Sequence, residues 1–376
     1  MTSKNAKYSR RDFIQLLGAF AGSVLIRPRV LSQSTAAARP FEFLVVGDSL
    51  ISGQGLGETE KFYYLVKQWL EAEVLEGGRP VSLKVKAHSG ASIGLRPAEI
   101  EALKKAGISE NRSFPDEVNI SFPSIRAQID AALTEYKDPG MVDLIMLSGG
   151  ITDIRLSVIL DPFRSNAKLA SDIIKHCNEA MFELLSRTAT NFPNALIAVV
   201  GYYPMLSKRS SVKKIINHIL ELYDFPDPLK PLINNPLQRW LLKYYANKMV
   251  RRSLLWADSS TIEFKKAVDR VNARIGTKRI VFIESPIKEE NSLGTKNSLL
   301  YEIGKNGKLT DTTAAERKAV CRQTLPELRR STGMKFKTHM CEMASIGHPT
   351  PAGAKVIAES IEDKLKEFFP RKTTTY

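Results

Sequence analysis

Phe41-Glu42-Phe43-Leu44-Val45-Val46-Gly47-Asp48-Ser49-Leu50 is an apolar run of strand length that ends in an abrupt polar exit. Phe and Val in such a run favour a buried strand, and Gly-Asp-Ser directly after it brings a serine hydroxyl to the end of a sheet. Similar runs recur at Val81 to Ala87, Val142 to Ser148, Leu196 to Gly201 and Ile280 to Ile283. Between them, Phe62 to Leu75, Ser124 to Tyr136, Asn166 to Ser186, Ile262 to Ile275 and Ala352 to Phe369 carry apolar side chains at helical intervals, as Leu169, Ile173 and Cys177 do. Strand alternating with helix predicts an α/β domain, a parallel sheet covered on both faces. Ligands in such sheets bind beyond the carboxyl ends of strands, so chemistry is expected after Val46, Ala87 and Ser148. Pro204 to Trp256 breaks the rhythm and reads as a helical insertion interrupted by Pro226, Pro228, Pro231 and Pro236.

A serine at a strand exit is a nucleophile if an imidazole takes its proton and nearby N–H groups receive the oxyanion. The matching imidazole is His348, in Ser345-Ile346-Gly347-His348-Pro349, just before the last helical pattern. These residues, in this order, resemble the GDSL or SGNH hydrolases, esterases and lipases on a three-layer αβα flavodoxin-like fold, across most of residues 41 to 370. The resemblance implies Ser49 as nucleophile, His348 as base, and an oxyanion hole built from Ser49, Gly90 and the Gly150-Ile151-Thr152-Asp153 block. Two blocks depart from the family pattern. Thr152 replaces an Asn, which leaves a shorter donor, and Ser345 stands three before His348 where an Asp would orient and charge-stabilise the ring. The expectation is a Ser-His dyad, with Ser345 or Glu342 as candidates to orient His348. Gly201-Tyr202-Tyr203-Pro204 is similar to the family's loop after strand four, beside which a lipase-like groove would pass.

Other readings are weaker. Gly90-Ala91-Ser92-Ile93-Gly94 fits a Gly-x-Ser-x-Gly elbow, but such an elbow runs straight into a helix, and Pro97 stands in the way. Gly53-Gln54-Gly55-Leu56-Gly57 has the wrong third spacing for a dinucleotide loop. The histidines show no metal-ligand spacing with a Cys or carboxylate cluster apart from His339 with Cys341, so neither metal nor cofactor is implied.

The N-terminus points to export. Arg10 and Arg11 precede an uncharged stretch from Leu16 to Ile26, too short for the ~20 residues that span a bilayer, and Ala36-Ala37-Ala38 offers a cleavage site. The doublet resembles a twin-arginine signal, so residues 1 to 38 are expected to engage that export machinery and leave a single domain, 39 to 376, periplasmic or extracellular. No Cys precedes Cys177, so a lipid anchor is not expected. In an oxidising compartment Cys321 and Cys341 are expected to form a disulfide, with Cys177 a small buried residue.

The full chain has net charge +15, and +10 without residues 1 to 38. Met205 to Leu255 alone carries +7. There, basic residues interleave with Trp240, Leu241, Leu242, Tyr244, Tyr245 and Met249, the composition of an interfacial helix, although a purely structural helix would bury the same aromatics. An anionic membrane surface is therefore a candidate partner; nucleic acid is not, for want of any motif. The expected function is an exported carboxylic-ester hydrolase acting on an acyl lipid or O-acyl glycan. The alternative is a catalytically weak relative that binds a glycan or anionic lipid.

Overall fold

The computed structural model describes residues 39–222, 236–304 and 307–369. The export segment and Pro226, Pro228 and Pro231 lie outside the described residues. Five parallel strands, β1 (Phe41–Val46), β2 (Val81–Val85), β3 (Val142–Leu147), β4 (Leu196–Val200) and β5 (Ile280–Ile283), form one sheet in the order β2-β1-β3-β4-β5. This is the flavodoxin-like order, whose direction reverses between β1 and β3. The site serine leaves the sheet at that switch.

The helices follow as α1 (Ser49–Ser52), α2 (Phe62–Trp69), α3 (Pro97–Ala106), α4 (Ile125–Glu135), α5 (Ile151–Ile154), α6 (Leu156–Ile159), α7 (Asn166–Ile173), α8 (Met181–Asn191), α9 (Val212–Leu222), α10 (Pro236–Ile275), α11 (Ala314–Thr332), α12 (Thr338–Glu342) and α13 (Pro351–Leu365). Helices α2 and α13 pack together, and α8 packs with α4 and α10 as a second group. Strands β3 and β4 are buried almost throughout, as two covered faces require. The result is a three-layer αβα fold. A smaller core of Leu103, Val118 and Phe122 with Leu325 and Leu328 sits beside it. Cys321 and Cys341 join there in a disulfide that ties α11 to α12, while Cys177 is free and buried.

The expected insertion and the helix expected from Ile262 share one element, because α10 runs unbroken for 40 residues. Between Pro236 and Ile275 there is no Gly or second Pro to stop it. The polar run Asp258-Ser259-Ser260-Thr261 looks like a helix start, yet Ser260 is buried and its hydroxyl donates back to the Ala257 carbonyl within the helix.

Candidate functional site

Three strand exits converge on Asp48. Gly47 has φ 144°, and a Cβ there would stand 2.6 Å from the Ser148 carbonyl, so only glycine lets the β1 exit lie against the β3 exit. The buried Asp48 carboxylate accepts from Leu50 N at 3.1 Å, from Ser148 Oγ at 2.9 Å and from the Tyr202 hydroxyl beyond β4. Burial pushes the Asp48 carboxyl up, and its bonds from Tyr202 and Ser148 oppose that. Asp48 thus caps the turn that presents Ser49.

Ser49 Oγ lies 2.8 Å from His348 Nε2. The histidine loop is held by backbone bonds in both directions between Tyr301 and residues 347 and 348, and by the Tyr203 hydroxyl donating to Gly347 O at 2.9 Å. A Cβ at Gly347 (φ 83°) would stand 2.0 Å from Met205 Cε, so the loop passes tightly over that side chain. This arrangement can pass a proton from Ser49 to His348.

The other ring nitrogen, Nδ1, is buried and has no side-chain partner among the described residues; only the backbone carbonyls of Ser345 and Ala344 bear on it. The two side chains expected to orient the ring, the Ser345 hydroxyl and the Glu342 carboxylate, are engaged elsewhere, and Ser345 bears on His348 through its carbonyl instead. Ser345 Oγ donates to Asp311 Oδ2 at 2.8 Å and accepts from Arg317 Nη2 at 2.9 Å. The Glu342 carboxylate pairs with Arg322 at 2.6 Å, and its carbonyl accepts from Arg317 Nε. The physical reason for the Ser345 hydroxyl is Arg317, a guanidinium with no exposed surface, which gathers Asp311, Glu117 and Ser345 Oγ around its charge. Burial pushes the His348 imidazolium down to about 4; the Arg317 charge adds to this, and the Ser345 and Ala344 carbonyls oppose it. Nothing in the sequence around His348 announces this network, whose members come from residues 117, 311, 317 and 345.

Ser49, Gly90, Thr152 and His348 line one cleft of about 430 Å³. Among the described hydrogen bonds, neither the Ser49 nor the Gly90 N–H has an acceptor, so both amides are available to an oxyanion. Gly90 has φ 82°, and a Cβ there would crowd Ile120 N at 2.8 Å and Asn119 Oδ1 at 2.8 Å. Asn119 was not singled out by sequence. It reaches the cleft from the loop ahead of α4, and its carboxamide stands beside Gly90 on a different element from the expected Asn of the third block. Replacing Thr152 by Val, nearly isosteric but without the hydroxyl, is expected to lower kcat by about tenfold or more. An unchanged rate, together with a loss in Asn119→Ala, would move the third donor from Thr152 to Asn119.

The rival serine is elsewhere. Ser92 Oγ donates to the carbonyls of Gly94 and Ser121, and α3 starts only at Pro97, so no nucleophile elbow forms. The Gly53 to Gly57 loop is packed rather than open: Gly55 N donates to Glu117 Oε1, and Ser89 Oγ donates to Gln54 Oε1. Burial pushes the Cys177 thiol well up, as suits a packing residue. A larger hollow of about 780 Å³ lies against β5 and the end of α10, but among the described residues no Ser, His or Cys lines it.

No protein-family model and no curated protein sequence matches the chain. Its structure is similar to phospholipase A1 from Streptomyces albidoflavus NA297, with TM-score 0.42 and 13% identity over 86% of this chain and 99% of that one. It is also similar to a family two carbohydrate esterase from Clostridium thermocellum, with TM-score 0.40 and 11% identity over 87% of this chain and 64% of that one. An extracellular lipase from Streptomyces rimosus gives TM-score 0.38 and 12% identity over 78% of this chain and 99% of that one. Likenesses of this degree leave the chemistry to be argued from the chain's own residues.

Proposed function

We propose that the protein hydrolyses carboxylic esters through an acyl-enzyme. The 2.8 Å contact between Ser49 Oγ and His348 Nε2, beyond the carboxyl end of β1 and inside an apolar cleft, carries this reading. Ser49 attacks the acyl carbon while His348 takes its proton. The oxyanion rests on the N–H groups of Ser49 and Gly90 with a third donor from Thr152. His348 then protonates the leaving alcohol and activates the water that releases the acid. With no carboxylate on Nδ1 and Arg317 nearby, the imidazolium is poorly stabilised, which favours a modest rate. A fluorophosphonate probe and a panel of p-nitrophenyl esters of increasing acyl length test the reading: labelling at Ser49 with turnover supports it. A protein that does neither is better read as one that binds a glycan or lipid ester without cleaving it, as the missing carboxylate at His348 would allow.

Export to the periplasm or beyond is part of the proposal, and the Cys321–Cys341 disulfide supports an oxidising destination. The membrane-facing surface needs revision in two residues. Phe163, Trp240, Leu241 and Tyr244 are exposed near Lys243 and Lys248 on the same stretch of surface, with Phe163 4.7 Å from Tyr245 between ring centres. Arg252, one of the basic residues of the Met205 to Leu255 stretch read as facing lipid, is instead buried and donates to the carbonyls of Val158, Ile159 and Arg164. Met249 is buried too. Co-sedimentation with anionic vesicles at low salt is expected, weakening as salt shortens the Debye length to about 8 Å and falling in a Lys243→Gln, Lys248→Gln, Arg251→Gln variant. Indifference of the wild type to such vesicles would make this face a structural cap and favour a soluble or glycan ester.

A further inference from the structure

The cleft is apolar inside and basic at its mouth. Met205, Met340, Met343 and Leu156 are among the side chains that line it, and among the described residues no Asp or Glu does. Three cations do: Arg155, between α5 and α6, and Lys335 and Lys337, on the link between α11 and α12. All three are exposed, and none has an ion pair or side-chain hydrogen bond among the described residues. The surrounding acids are spent elsewhere, Glu342 on Arg322 and Glu117 and Asp311 on Arg317. Unpaired cations from two separate walls around one opening raise the local concentration of anions there.

Arg155 adds a second observation. Its backbone has φ 75° and ψ 132°, a conformation an L side chain adopts only at a cost, in the link that ends α5 and starts α6. Glycine would relieve it. The position instead holds a long cation directed to the cleft mouth, and strain of this kind concentrates at ligand sites.

We infer that the ester accepted at Ser49 carries an anionic oxygen group, phosphate or carboxylate, on the side of the leaving alcohol. The acyl chain lies along the methionine-rich lining, and the anion meets Arg155, Lys335 and Lys337 at the mouth. This rests on the ester-hydrolase reading. A guanidinium and two ammonium groups suit such an anion as a bidentate donor and two point charges.

Two measurements separate this inference from the reading beneath it. The first is equilibrium binding to the Ser49→Ala protein of a short-chain 1-O-alkyl glycerol 3-phosphate against the uncharged 1-O-alkyl glycerol, neither of which can be cleaved. The phosphate form is expected to bind at least tenfold more tightly at low salt, with the preference reduced severalfold in a Lys335→Gln, Lys337→Gln variant and in Arg155→Gly, which keeps the backbone conformation without strain. The second is kcat/KM of the wild type for 4-butyryloxybenzoate against 4-butyryloxybenzamide, where the carboxylate is expected to be favoured at least tenfold. A gain with phosphate alone assigns the mouth to phosphate, and a gain with both to oxyanions in general. Equal binding of charged and uncharged ethers, or a preference the variants leave intact, overturns the inference even if esters are hydrolysed. Absence of all turnover with the binding preference intact would overturn the hydrolase reading and leave an anionic-lipid binding site.

Discussion

Ser49→Ala is expected to lower ester turnover by about 10⁴-fold or more and to abolish fluorophosphonate labelling, while Ser92→Ala leaves both in place. The magnitude follows from the chemistry: without the hydroxyl, no acyl-enzyme forms, and the remaining amides of the cleft only bind and polarise. The Ser92 control is sharp because that hydroxyl is turned to the carbonyls of Gly94 and Ser121, away from His348. Labelling at Ser92 would overturn the assignment. The pH profile supplies a second readout. His348 acts as a base only when neutral, and its imidazolium is pushed down to about 4, chiefly by burial. The acid limb of kcat/KM is therefore expected near pH 4 rather than near the ordinary histidine value of about 6.5. Stability moves in the same direction. Between those two values the unfolded chain binds the His348 proton and the folded chain does not, so this group makes the fold less stable as pH falls through that window.

Arg317→Met is expected to cost about 3–5 kcal/mol of stability, read as a lower urea midpoint. Arg317 Nη1 and Nη2 donate to both oxygens of Asp311 at 2.8 and 2.7 Å, Nη1 reaches Glu117 Oε2 at 2.8 Å, and Nη2 reaches Ser345 Oγ. Methionine fills part of the volume but leaves two buried carboxylates without a counter-charge, and these lie where the Ser345 to His348 turn is built. A second variant, Arg317→Met with Asp311→Asn, removes one of those charges and should recover part of the loss. If Arg317→Met is as stable as the wild type, the network is not what holds this turn. Where the variant folds, its acid limb should move up, because the second cause of the low His348 value has been removed.

How much was legible in the sequence differs by element. All five strand runs stand where their apolar patterns put them, with ends shortened by one or two residues at β2, β3 and β4. Short buried runs bounded by Gly, Pro and polar residues carry their own limits. The long helices were less legible. The Asn166 to Asn191 segment continues through a π-helical stretch at Ile174–Ala180 where the apolar stripe drifts, and α10 runs through a polar patch that resembles a start. Of the candidate site, Ser49, Gly90, Thr152 and His348 were readable because each sits at a strand exit or beside a helix start, where local pattern and position agree. Asn119 was not, for it lies in a loop without periodicity or motif.

The chain by itself determined that strand alternates with helix, that a serine follows the first strand and a histidine precedes the last helix, and that the cysteines of the 321–341 segment are spaced to meet. These are local matters, decided by side-chain period and by residues whose backbone preferences act within a few positions. Only the tertiary structure decided what surrounds His348. A histidine three residues after Ser345 invites a local partner, but hydrogen bonds inside a protein go where an unsatisfied buried charge is most costly. Arg317, brought in from α11, claims Ser345, Asp311 and Glu117 together. The same holds for the cleft mouth. Arg155 lies 180 positions before Lys335 and 182 before Lys337, and no sequence pattern joins them until the fold places both segments at one opening.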